Sequence, residues 1–207
     1  MAAPISHIIY AKRYLESNPM LTPDKDLFLL GCSFPDIRRV DGTISREATH
    51  RSFAPINLDF EDLAPFEAGW KFHLYCDMKR EEILRDNKFY SLKKDQSEKW
   101  LHPAKFLEDE LLYGEYNNWE KLVSFFNHPP EVDMKVPITR ESFELWCAML
   151  SRYFEKKPDS KSIHIFLMKQ HGLPDKVDNI VAIYEKLKED EKIVNIIKKL
   201  ASEIIPL

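Results

Sequence analysis

Five residues in the first half of the chain have types and spacing suited to chemistry: His7, Asp36, His50, His73 and Asp77. His73 and Asp77 are four apart in Gly69-Trp70-Lys71-Phe72-His73-Leu74-Tyr75-Cys76-Asp77. On a helix that spacing puts an imidazole and a carboxylate on one face, one turn from each other. Gly69 lies a turn further back on the same stripe, where it costs roughly 1 kcal/mol against Ala. A glycine there implies that something must approach the backbone above His73, and a metal site under a crowded helix is one such thing. Cys76 lies off this face and reads as a packing thiol.

Two histidines and two carboxylates (Asp36, His50, His73, Asp77) suit zinc, with manganese or iron also compatible. The carboxylates balance a divalent ion. Such an ion lowers the pKa of a bound water towards ~7 and so prepares it for attack on a phosphorus or carbonyl centre. His7 adds the means for a second ion, with Asp77 bridging. Asp36 is also the candidate catalytic group, placed to orient or deprotonate the water. Arg46 and Arg51 flank His50, and Arg38 and Arg39 follow Asp36. Guanidinium groups suit phosphate bidentately, so Arg46 and Arg51 are the candidate substrate-binding residues.

These residues need elements to position them, and the patterning is helical throughout. Apolar stripes at helical period mark a first helix over 4–17 carrying His7, with Pro4 at its start. A second is expected from Thr22 as cap and Pro23 as first helical residue, stopping at Gly31. Positions 37–58 read as an irregular connection containing His50. A third helical region starts near Asp59, is interrupted at Pro65 and runs to about 85. Its strongly apolar flanks make it the central helix, and it bears His73 and Asp77. Further helices are expected near 97–114, 117–127, 140–155, 161–171, 175–188 and 190–205. No period-2 alternation is sustained anywhere. The expectation is an all-α bundle of roughly eight helices in a single domain, with a soft boundary near Pro129-Pro130.

Composition agrees with that class. The 207 residues are 44% hydrophobic and 31% charged, which is ordinary for a water-exposed globular chain with a real core. Five glycines are too few for a turn-rich sandwich or a glycine-loop nucleotide fold. A net charge of -4 supplies no field for non-specific nucleic-acid binding. No stretch approaches the ~18 apolar residues of a membrane span, and no leader is seen. Three cysteines without CxxC spacing argue for reduced thiols and a cytoplasmic setting.

The ordered set resembles the zinc-dependent phospholipase C superfamily, which includes the single-strand-specific nucleases. The matching elements are an early histidine (His7), a leucine-rich helix running into Gly31-x-x-x-Pro35-Asp36, His50 fourteen positions on, and Gly69-x-x-x-His73-x-x-x-Asp77. They span about residues 4–85. The resemblance implies an all-α bundle with a zinc cluster that hydrolyses phosphodiesters. It implies one metal on Asp36, His50, His73 and Asp77, and another shared by His7 and Asp77. The chain departs from the secreted members in two ways: it begins Met1-Ala2-Ala3 where they have a tryptophan ligand, and His102, His128, His164 and His171 begin no His-x-x-x-Glu pair. One or two ions are therefore expected, not three.

Other catalytic signatures are missing. There is no His-Asp dipeptide, no His-Glu-x-x-His helix, no Gly-x-Ser-x-Gly and no P-loop. Glu47-x-x-His50 matches half of a di-iron motif without a second copy. The expected function is hydrolysis of a phosphodiester or small phosphate ester, the substrate being a small phosphorylated molecule. The alternatives are a helical scaffold holding a structural metal, or another metal-dependent hydrolase or oxygenase.

Overall fold

A computed structural model describes residues 3–50, 53–92 and 97–205, the side chains of 97–101 excepted. Among the described residues there are ten α-helices, several short 3-10 segments and no strand. The helices are α1 (Pro4–Ser17), α2 (Lys25–Ser33), α3 (Arg46–His50), α4 (Pro65–Asp86), α5 (Ser97–Leu112), α6 (Trp119–Asn127), α7 (Arg140–Phe154), α8 (Ser160–Met168), α9 (Val177–Lys188) and α10 (Glu191–Glu203). No helix of the described residues is long and apolar enough to cross a membrane.

The expected helices are present, with four local corrections. Asp24, not Thr22, caps α2: its carboxylate accepts the Leu27 N–H at 2.9 Å. Thr22 instead makes a turn with Asp24. The chain does not stop at Gly31, because α2 runs to Ser33 and passes into a 3-10 segment over Phe34–Arg39. Residues 59–64 precede the long helix as irregular chain with a turn at 61–62, and α4 starts at Pro65. The connection over 37–58 holds a short helix, α3, whose last residue is His50.

The tightest helix pair is α2 against α4. A Cβ on Gly31 would lie 2.0 Å from the Phe66 carbonyl oxygen, and a Cβ on Gly69 would lie 2.0 Å from that of Phe28. The two glycines thus let each backbone rest directly on the other. What Gly69 makes room for is the α2 backbone, not an ion. Helix α5 packs against α1, α9 and α10, and α6 against α7. The apolar core takes residues from Ala3 to Ile205, including Phe28, Phe72, Trp70, Trp146, Phe154 and Tyr184.

Candidate metal centre

The five residues of the motif set come together. Helix α4 is the base, with His73 and Asp77 one turn apart on its buried face. The His73 Nε2 lies 3.6 Å from an Asp77 oxygen. His73 Nδ1 is 2.8 Å from the Cys32 carbonyl oxygen, which can only accept a hydrogen bond. Nδ1 therefore carries the proton, and the Nε2 lone pair faces the cluster, the tautomer a metal ligand needs. The Gly31–Gly69 crossing puts that carbonyl within reach.

His7 arrives on the first turns of α1. Its cap residue, Ala3, has no side chain to satisfy the helix start. Asp109 of α5 does this from outside: its carboxylate accepts the Ile5 N–H at 3.3 Å, the Ser6 N–H at 2.7 Å and the Ser6 hydroxyl at 2.6 Å. Tyr153 donates to the same carboxylate at 3.2 Å. The neighbouring Glu108 accepts from Tyr10 and, at 2.7 Å, from the fully buried Arg80. So placed, the His7 ring stacks on His73 with centroids 3.8 Å apart and planes 14° from parallel. Its Nε2 is 3.5 Å from Asp77.

His50 is held by two contacts around α3. The Trp70 indole N–H donates to the Thr49 carbonyl at 2.7 Å, and the Thr49 hydroxyl is 2.9 Å from His50 Nδ1. That leaves His50 Nε2 facing Asp77 at 3.8 Å. Asp36 comes from the 3-10 segment after α2. That segment is tied to the second half of the chain: Trp146 donates to the Ser33 carbonyl at 2.9 Å, the His171 N–H to the Arg39 carbonyl at 2.6 Å, and the Ser142 hydroxyl to Asp41 at 3.1 Å.

Two overlapping ligand groups result. One ligand atom each from His7, His73 and Asp77 lie within 4.8 Å of one another, and so do one each from Asp36, His50 and His73. Both His7 nitrogens, the Nε2 of His50 and of His73, and Asp36 Oδ1 are buried with no hydrogen-bond partner. Burial pushes the His50 and His73 imidazoles down to about 4, so both are neutral near pH 7. Burial alone would raise the Asp36 carboxyl. Lys105 and the imidazoles of His73 and His50 instead hold it well below the usual carboxylate range. Asp77 is likewise held low against its burial, with His73 and His7 contributing. The set is therefore two carboxylates and three imidazoles, those of His50 and His73 neutral, the donor types that bind zinc, manganese and iron.

The expected substrate arginines fare differently. Arg46 is exposed at the start of α3, one turn before His50, and Arg51 lies outside the described residues. The structure instead brings two residues of α5 to the site. Lys105 is buried beside Asp36, and burial pushes its ammonium down to about 8. His102, one turn earlier, is pushed by burial to about 3 and is a neutral imidazole. A sequence signal for Lys105 existed: Lys105 and Glu108 interrupt the helical stripe Leu101, Lys105, Glu108, Leu112, where a packed helix needs apolar residues. Trp70 and Tyr14 belong to the core, and Cys76 is a buried thiol among apolar neighbours. His164 pairs with Asp178 and the His171 ring lies over Gly42, so neither serves the cluster.

No protein-family model, curated protein or solved structure matches this chain.

Proposed function

We propose that the protein is a metal-dependent phosphoesterase. One observation carries the reading. Three imidazole nitrogens, from His7, His73 and His50, stand 3.5, 3.6 and 3.8 Å from the Asp77 carboxylate. Those separations are too long for hydrogen bonds, which close at about 2.7–3.2 Å. They suit neighbouring ligands of one ion: tetrahedral bonds of about 2.0–2.1 Å put adjacent ligand atoms about 3.3–3.4 Å apart. Imidazole nitrogens buried without partners would otherwise cost about 1–3 kcal/mol each. Asp36, His50, His73 and Asp77 would hold one ion, and His7 and Asp77 a second, zinc being the best fit to this donor set.

When bound, a divalent ion supplies Lewis acidity and a water of lowered pKa for attack on phosphorus. The chain's residues do the rest. Asp77 and Asp36 balance the charge, and Cys32 holds the His73 tautomer. Asp36, the least buried member, can orient a water or take its proton. A closed structural metal is the second reading, favoured by the near-complete burial of His7 and His73. Asp36 favours the first reading, because it lines a cavity.

The test is the metal content of protein purified without an affinity metal, together with turnover of a bis-aryl phosphate. We expect roughly one to two equivalents of a divalent ion. In His73→Ala and Asp77→Ala, metal should be lost, and turnover should fall at least about 100-fold with the helical spectrum kept. A parent that neither carries nor takes up zinc or manganese sinks the proposal. Metal without turnover selects the structural reading.

A further inference from the structure

A narrow cavity of about 30 Å³ reaches the candidate centre from the side of α5. Asp36, Arg39, His102, Lys105 and Gln170 supply its polar lining. Arg39 and His102 also line a larger cleft of about 520 Å³, with Leu173, Lys176 and Asn179 on its far wall. Arg39 and His102 thus stand on the walls of both spaces, and Asp36 lines the inner one.

Three cations, Arg39, Lys105 and Lys176, line these two spaces against one carboxylate, Asp36. Arg39 and Lys105 make no ion pair and no side-chain hydrogen bond among the described residues. Asp36, the carboxylate whose charge they both feel, is also a candidate metal ligand. A buried ammonium without a hydrogen-bonded partner is costly, and keeping one beside a cavity calls for an anion. The inner cavity has room for about two water-sized atoms, enough for two of the three non-bridging oxygens of a phosphomonoester.

We propose that Arg39 and Lys105 form the phosphate cradle of this protein, His102 adds a neutral hydrogen bond at its mouth, and the substrate is a small phosphomonoester. Resting on the phosphoesterase reading, the choice of monoester follows from charge. Two cations match a dianionic phosphate, whereas a diester carries one negative charge. Guanidinium takes phosphate oxygens bidentately and ammonium acts as a point charge, so the pair fixes orientation as well as charge. The outer cleft accommodates a leaving group of modest size.

The test uses zinc-loaded full-length chain, with inorganic phosphate as the titrant in calorimetry. Aryl phosphate and bis-aryl phosphate serve as paired substrates, and metal content is measured on every preparation. We expect Arg39→Gln and Lys105→Gln each to weaken phosphate binding about tenfold or more, with metal content unchanged. The monoester-to-diester ratio of kcat/KM should fall by a similar factor, and Arg39→Lys should recover part of it. Lys105 is buried and its variant can misfold; Arg39 is half-buried, so its variant decides. Folded, metal-loaded Arg39→Gln with parental phosphate affinity and parental ester ratio overturns the cradle. Should the parent hold no metal, the phosphoesterase reading falls, and the same titration on metal-free protein still judges the cradle: binding lost in Arg39→Gln supports it, and a parent that binds no phosphate overturns it.

Discussion

Gly69→Ala tests the frame beneath the site. A Cβ at position 69 would stand 2.0 Å from the Phe28 carbonyl oxygen and 3.0 Å from the Cys32 nitrogen. Both are backbone atoms of α2, so no side chain can swing aside. For an ordinary contact the helices must part by about 1 Å or more. Overpacking of this kind costs about 1–3 kcal/mol or more, and replacing a helical glycine by alanine returns about 1 kcal/mol. With backbone as the obstacle the upper end applies, and the net loss is about 2 kcal/mol. For a chain of this length that lowers Tm by about 4–8 °C. Parting the helices also stretches the 2.8 Å hold of Cys32 on His73, so zinc affinity should fall about 10–100-fold. Thermal unfolding followed by circular dichroism with a chelator isolates the packing effect, and zinc titration then reads the site. Gly31→Ala should behave alike. The double variant should lose less than the sum, because the helices separate only once. Gly114→Ala is the control, since its Cβ would meet nothing within 4 Å. An unchanged or higher Tm in Gly69→Ala would refute the close crossing.

Further predictions concern the supports. Asp109→Ala strips the outside cap of α1 and leaves the Ile5 and Ser6 N–H groups and the Tyr153 hydroxyl without their acceptor; we expect a loss of about 2–4 kcal/mol in denaturant unfolding, and less for Asp109→Asn. Burial raises the Asp109 carboxyl to about 7 from 3.8, against its four donors, so its proton favours the folded state and that contribution is lost as pH rises from about 4 to 7. The midpoint of Asp109→Asn should accordingly vary less than the parent's between pH 5 and 8. The depressed imidazoles act in the opposite sense. His50, His73 and His102 are neutral when folded and titrate near 6.5 when unfolded, so metal-free protein should lose stability as pH falls from 6.5 to 4. With the opposing Asp109 contribution removed, a flat Tm over that window in metal-free Asp109→Asn would contradict the burial of these rings. Trp146→Phe removes the donor to the Ser33 carbonyl; about 1–3 kcal/mol of stability and some order around Asp36 should go with it, checked by hydrogen exchange at residues 34–41.

Much of the frame is legible in sequence, because helical periodicity is a local signal. The stripes of α9 and α10 and the Pro4 start of α1 locate their helices within a residue or two of the observed ends. The five-residue set is legible for another reason: metal donors are rare types, and their order along the chain is informative. What stays hidden depends on a partner distant in sequence. Gly31 looks like a helix stop when α4 is not there to explain it. The cap of α1 cannot be found near Ala3, since it lies at Asp109. Arg46 and Arg51 attract attention by adjacency to His50, whereas Lys105 reaches the site only through the packing of α5 on α1.

The struts that tie Ser33, Arg39 and Asp41 to Trp146, His171 and Ser142 bear on the timing of synthesis. All five candidate ligands have been translated once Asp77 is added. The donors that fix the Asp36 segment follow about 65–95 residues later, which at about 5–20 residues per second is several seconds of elongation. A nascent chain thus carries the complete donor set before it can hold Asp36 in register. If these ties set the proposed site, its competence would follow translation of His171, and ribosome-stalled chains of increasing length would acquire it in one late step.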